Sequence, residues 1–216
     1  MKGEKVFVSW SGGKDSYLSL IKAKEAGMDT SSLVTFINKD HSCSMSHGLP
    51  LQLFHRQSCA LEISQVLEPV SWDDYEKGFQ RVMVKLIEKG YTGGVFGDIN
   101  LPGHKQWVED ACSKAGINPY LPLWGMKEEK VLEELLNQNA ELLIVALRPD
   151  LVDAKWLGRT LDWNFIGELK KNGLSPCGES GEYHTMAIFG PLFKERIDLP
   201  CKGTRQSGQV LFLDYL

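Results

Sequence analysis

Short apolar runs alternate with helical stripes through the first half of the chain. Val6-Phe7-Val8 lies in an apolar stretch over residues 5–10, and comparable runs follow at 32–37, 65–69 and 94–97. Brief apolar segments bounded by turn-forming residues predict buried strands. The intervening segments predict helices over 15–26, 49–61, 73–89 and 103–115. Gly27, Gly90 and Gly116 stand just past the last periodic residue of three of them, where a helix commonly ends in the left-handed conformation. Within 73–89, Tyr75, Phe79, Val82, Met83, Leu86 and Ile87 form a stripe at helical spacing, which predicts a face turned to the core. Strands that alternate with helices imply parallel crossovers, hence an α/β fold with a doubly wound, mostly parallel sheet.

The pattern breaks at Pro119-Tyr120-Leu121-Pro122-Leu123-Trp124-Gly125. Two prolines and a glycine end the periodicity there, placing a domain boundary near residue 125. Residues 1–125 form the predicted first domain and 126–216 the second. The second half predicts helices over 127–137 and 162–171 and strands over 142–146, 183–189, 194–199 and 209–213. Its last three strands are expected to pair antiparallel in a smaller α+β domain. No internal repeat or low-complexity segment interrupts either half.

Composition narrows the function classes. At 216 residues, with 43% hydrophobic side chains, the chain can bury real cores. A net charge of −4 and a pI near 5.8 argue against a broad nucleic-acid footprint or binding to anionic membranes. No apolar run approaches the roughly 18 residues a membrane span needs, and no secretory apolar region follows Met1. A cytoplasmic location is the expectation. Five scattered cysteines without a Cys-x-x-Cys pair predict neither a disulfide framework nor a structural zinc site. Cys177, beside Gly178-Glu179, is the one candidate catalytic thiol, although small buried structural cysteines are far commoner.

Candidate chemistry concentrates in two segments. The first is Ser11-Gly12-Gly13-Lys14-Asp15-Ser16, between the first strand, which carries Val6-Phe7-Val8, and the first helix. Adjacent glycines at such a turn let consecutive amides converge on an anion, reinforced by the helix dipole. Lys14 adds mobile charge and Ser16 a hydroxyl, Ser11 shapes the loop, and Asp15 either joins the cradle or caps the helix. The spacing is neither that of the Gly-x4-Gly-Lys-Ser/Thr loop nor that of the dinucleotide fingerprint. It resembles the pyrophosphate-binding loop of the PP-loop ATP pyrophosphatases, Ser-Gly-Gly-x-Asp-Ser. That resemblance implies cleavage of ATP between its α- and β-phosphates.

The second segment is Cys177-Gly178-Glu179-Ser180-Gly181-Glu182-Tyr183-His184-Thr185. Glycines bracket two carboxylates ahead of a strand, so Glu179 and Glu182 can converge while His184 and Thr185 open the strand. Such a set suits Mg²⁺, general-base work or recognition of an amine, or else forms a solvated turn. Gly178 to Thr185 resembles the second signature of the diphthine–ammonia ligase family of PP-loop proteins. Gly97-Asp98-Ile99, Trp107 with Glu109, Pro122-Leu123-Trp124, Leu157-Gly158-Arg159 and Gly190-Pro191-Leu192-Phe193 resemble family segments in the same order.

The resemblance implies a HUP-like nucleotide-binding domain, a smaller C-terminal domain and a cleft between them. ATP with Mg²⁺ would adenylate a carboxylate on a small molecule or a protein, and ammonia would displace AMP. It assigns Ser9, Ser11, Gly12, Gly13, Lys14, Asp15, Ser16 and Gly97 to ATP. Lys14, Asp98, Glu179, Glu182 and His184 become the catalytic candidates, with Asp98 also the candidate Mg²⁺ ligand. Neither membrane nor nucleic acid is expected as a partner, and a homodimer is left open.

One loop departs from the archaeal and eukaryotic pattern. Where those members carry aromatics, this chain has Ser42-Cys43-Ser44-Met45-Ser46-His47-Gly48, which resembles the bacterial branch. Bacteria lack the diphthamide target, so the ATP chemistry carries over while the substrate carboxylate stays open. Ser46, His47 and Thr185 are the substrate candidates, His47 serving equally well as a helix-entry residue. Two alternatives remain at this point: adenylation of a carbonyl or amide oxygen on a cofactor or RNA, and a nucleotide sensor without turnover.

Overall fold

The computed structural model describes residues 2–40, 42–45 and 48–215. Ser46 and His47 lie outside the described residues. The chain divides into two compact units, Met1–Ser11 with Asp15–Met126, and Gly12–Lys14 with Lys127–Leu216.

The first unit carries β1 (Lys5–Ser9), β2 (Asp29–Asn38), β3 (Ser64–Val70), β4 (Gly93–Val95) and β5 (Asn118–Tyr120), with helices α1 (Lys14–Glu25), α2 (Leu51–Leu61), α3 (Tyr75–Ile87) and α4 (Pro102–Ala115). The sheet order is β3-β2-β1-β4-β5, and every neighbouring pair is parallel. Val6, Phe7 and Val8 in central β1 are essentially solvent-free, as expected of a strand covered on both faces. Right-handed crossovers in this order put α1 and α2 on one face and α3 and α4 on the other. Phe7, Phe36, Phe79 and Phe96, with Val82, Met83 and Leu86 of α3, build the core beneath α3 and α4. The order reverses between β1 and β4, the place where open α/β sheets bind ligands at their carboxyl ends.

Three details differ from the sequence reading. The helix expected over 73–89 is preceded by a 3₁₀ turn, Trp72–Asp74, before α3 begins. Asp74 Oδ1 accepts from the Ser71 amide at 2.6 Å and its hydroxyl at 2.9 Å, a cap that fixes the entry. Ile87, expected on the core stripe, is 41% exposed, because the helix ends there and the stripe has rotated past the sheet. The missed strand is β5, whose three residues include Pro119. Proline at an edge position is compatible with pairing, and the Phe96 amide donates to Tyr120 O at 2.8 Å.

The second unit carries α5 (Glu128–Asn137), β6 (Glu141–Leu147), α6 (Trp163–Lys171), β7 (Tyr183–Phe189), β8 (Cys201–Ser207) and β9 (Val210–Tyr215). Its antiparallel sheet runs β7-β6-β9-β8. Leu142, Ile144, Val145 and Ala146 of β6 are buried with Val131, Leu132 and Leu135 of α5 and Phe165, Ile166 and Leu169 of α6. The strand expected over 194–199 is absent. Buried Ile197 instead donates a single backbone bond to Ile188 O at 2.8 Å. β9 pairs with β6 on one side and on the other with β8, in which all seven positions are exposed, so no apolar alternation marks β8. β7 pairs with β6 rather than with β9, which corrects the expected run of three sequential strands. No helix among the described residues is long and apolar enough to cross a membrane.

Candidate functional site

The loop after β1 starts from a fixed point. Trp10 is buried, its amide donates to Val34 O at 2.8 Å, and its carbonyl accepts from Thr35 Oγ1 at 2.7 Å. Its indole Nε1 donates to Gln57 Oε1 at 2.9 Å. Within the loop Gly12 takes φ +79°, a left-handed turn that side chains disfavour. Ser11 Oγ donates to Ser16 Oγ at 3.2 Å, spanning the loop. Gly97, just beyond β4, lies against the peptide between Asp15 and Ser16. A Cβ there would stand 3.0 Å from Asp15 C and 3.1 Å from Ser16 N. Ser19 Oγ donates to Phe96 O at 3.3 Å beside this contact. Gly97 therefore sets how closely the first turn of α1 approaches the sheet edge.

Gly12–Lys14 pack with β7 as part of the second unit. The Ala187 amide donates to Gly12 O at 2.9 Å, and the Lys14 amide donates to Thr185 Oγ1 at 3.1 Å. That amide opens α1, where no intrahelical acceptor exists, so Thr185 acts as its cap from far along the sequence. Lys14 is itself buried, with Nζ 5.7 Å from the Tyr183 ring centroid. His184 is pushed down to about 4, first by burial and then by the positive charge of Lys14. At neutral pH its imidazole is uncharged and can only accept or donate as a neutral ring.

The glycine-bracketed loop is held by its own carboxylates. Glu182 is 3% exposed. Its Oε1 accepts from the Ser175 amide at 3.2 Å and its Oε2 from the Ser180 amide at 3.0 Å. Both oxygens thus tie the loop. Glu128, in the first turn of α5, has one oxygen that accepts from Ser175 Oγ at 2.6 Å and from the Cys177 amide at 2.9 Å. Cys177 is buried with its thiol donating to Glu128 O at 3.4 Å, the structural role. Glu179 is half-buried, and its amide donates to Ser175 Oγ at 3.0 Å. Sequence reasoning missed Glu128 because nothing local ties a helix-start glutamate to a loop nearly fifty residues on.

Ser9 and Asp98 meet in a cavity of about 500 Å³ in the first unit, lined also by Phe36, Trp72, Tyr75, His104 and Trp107. Asp98 Oδ1 lies 3.2 Å from His104 Nδ1, the carboxylate 21% exposed and the imidazole 66%. The Tyr75 hydroxyl is pushed up to about 12, by burial and then by the Asp98 charge. Among the described residues no group of three or more His, Cys, Asp or Glu converges to hold a metal ion.

Comparison with known proteins follows the same division. Residues 4–119 match the diphthamide synthase N-terminal domain and residues 127–208 match the diphthamide synthase C-terminal domain. The Homo sapiens diphthine–ammonia ligase is 29% identical over 218 residues, covering 87% of this chain and 79% of that protein. The Danio rerio protein of the same name is 26% identical, covering 87% and 83%. A solved structure described as a predicted subunit of tRNA methyltransferase from Methanocaldococcus jannaschii matches over 90% of this chain and 100% of that one, at 18% identity and a TM-score of 0.46, a likeness too slight to bear on function. With one domain match spanning more than half of its residues and the other most of the remainder, the chain belongs to the diphthamide synthase family.

Proposed function

We propose that this chain is an ATP-dependent carbon–nitrogen ligase that adenylates a carboxylate and transfers the acyl group to ammonia, releasing pyrophosphate and AMP. The observation that carries the reading is the meeting of the two motifs at Lys14. The cradle residue's amide is capped by Thr185, and its charge sits beside Tyr183 and His184. A carboxylate oxygen does not leave, whereas AMP does once the acid is adenylated. The site must therefore neutralise charge that develops on pyrophosphate and then on AMP. The amides of Gly12 and Gly13, Lys14 and the Ser16 hydroxyl at the start of α1 suit the triphosphate.

The carboxylate oxygen attacks the α-phosphorus and pyrophosphate leaves. Ammonia then attacks the acyl carbon, AMP departs with the bonding pair, and the nitrogen loses a proton to solvent. His184 accepts a hydrogen bond from the incoming N–H. Its depressed pKa makes it too weak a base to store that proton near pH 7. Mg²⁺ would be held mainly by phosphate oxygens and water, in keeping with the absence of a carboxylate cluster among the described residues. By their names the curated relatives join diphthine to ammonia, so diphthine is the first acid to test. Incubation with ATP·Mg²⁺, labelled pyrophosphate and a panel of acids should return label to ATP only with the cognate acid. Formation of ADP, or exchange without any acid, would contradict the reading.

A further inference from the structure

Helix α2 carries a pair of metal-ligating side chains that the ligase chemistry does not use. His55 and Cys59 stand at i and i+4 of Leu51–Leu61, so both project from one face. Both residues are solvent-exposed. The opposite face buries Leu53, Phe54, Gln57, Ala60 and Leu61, and Gln57 Oε1 accepts from the Trp10 indole at 2.9 Å. The helix is therefore a fixed platform beneath the pair. Cys59 Sγ lies 3.7 Å from His55 Nε2. Zinc bonds of about 2.3 Å to sulfur and about 2.0–2.1 Å to nitrogen, opened to the tetrahedral angle, separate the two ligand atoms by about 3.6 Å. The two side chains thus already stand at the spacing of neighbouring ligands on one ion. Two histidines at the same i, i+4 spacing hold zinc on the helices of metalloproteases.

A thiolate and an imidazole together select zinc-class cations over Mg²⁺ or Ca²⁺, which prefer oxygen. Among the described residues no third His, Cys, Asp or Glu completes the set, so water fills the remaining positions. Such a site is open, unlike a closed structural zinc. We propose that His55 and Cys59 form a surface site for one thiophilic divalent cation of the zinc class. On binding, the Cys59 thiol gives its proton to solvent, bonds form from Sγ and Nε2 to the metal, and water leaves the ion. The site stands apart from the ligase reading, because its occupancy needs neither ATP nor turnover.

The test titrates the reduced full chain with Co²⁺, whose bond to a thiolate gives a near-ultraviolet charge-transfer band, and then with Zn²⁺ as competitor. The parent should develop the band at one Co²⁺ per chain, lose it to Zn²⁺ and keep it in excess Mg²⁺. Cys59→Ser should abolish the band. His55→Gln should weaken Zn²⁺ at least about tenfold, a loss that merely disturbing a ligand's supporting contacts already causes. Cys201→Ser, which removes the other exposed cysteine, should change neither readout. All three positions are exposed, so the variants keep the fold. No band in the parent, a band retained by Cys59→Ser, Zn²⁺ affinity unmoved by His55→Gln, or one ion shared between two chains would each overturn the proposal. Failed pyrophosphate exchange would leave it standing.

Discussion

Replacing Glu182 by glutamine separates a loop-tying carboxylate from a reacting one. Each Glu182 oxygen accepts one backbone amide, Ser175 N at 3.2 Å and Ser180 N at 3.0 Å, on a side chain 3% exposed. Glutamine keeps one acceptor and turns an NH₂ toward the other donor. One charge-assisted bond is lost, about 1.5–3 kcal/mol, and an amide is left facing a donor. The neutral side chain is cheaper to bury, and Ser180 is exposed enough for water to help. The net expectation is a loss of about 1–3 kcal/mol, or several degrees in Tm for a chain of this size. Glu128→Gln is the internal contrast. A single Glu128 oxygen receives both bonds, so a glutamine oxygen can replace it and the loss should stay below about 1 kcal/mol. Urea unfolding of the three full-length proteins reads the difference directly. If Glu182→Gln were as stable as the parent while pyrophosphate exchange collapsed, the carboxylate would be reactive and the loop-tying argument refuted.

Gly97→Ala puts a Cβ 3.0 Å from the backbone of Asp15. It should cost about 1–3 kcal/mol by overpacking and weaken ATP binding in calorimetry; unchanged values in both would deny Gly97 its role in seating the first turn of α1. Thr185→Val removes the acceptor for the Lys14 amide and should cost about 1 kcal/mol, with Thr185→Ser recovering most of it in thermal melts. For His184 the folded pKa lies at about 4, below the ordinary value of 6.5, so the unfolded chain binds the extra proton between those values. Its contribution is intact above about pH 6.5 and is lost as pH falls toward 4, by at most about 3 kcal/mol. A pH series of urea midpoints for the parent and His184→Gln should diverge in that window, and parallel curves would show that the imidazole is not desolvated.

Much of the fold was legible because it rests on local signals. The parallel sheet announced itself in apolar runs such as Val6-Phe7-Val8, and β7 falls at Tyr183–Phe189 where the sequence predicts a strand. What escaped has a common cause. β8 is exposed on every residue and exists only through its ladder to β9, while β5 is three residues around a proline. Neither carries a hydrophobic pattern to read. The motifs were visible as motifs, but their internal economy was not. Glu182 looks like a free carboxylate in sequence, and only the folded loop shows both oxygens occupied. The Thr185 cap and the Glu128 anchor join residues 171 and 47–49 positions apart, separations that no window of sequence spans. The cavity of the first unit likewise gathers Phe36, Tyr75 and Trp107 from three elements.

The central claim is that the loop from Ser11 to Ser16 grips the polyphosphate of ATP through Lys14. Calorimetric titration of the full chain with α,β-methylene-ATP and Mg²⁺ tests it most directly, comparing the parent with Lys14→Ala. Removing one charge-assisted partner predicts a loss of affinity of about tenfold to a hundredfold. Equal affinity in the two proteins, or no nucleotide heat in the parent, would contradict it.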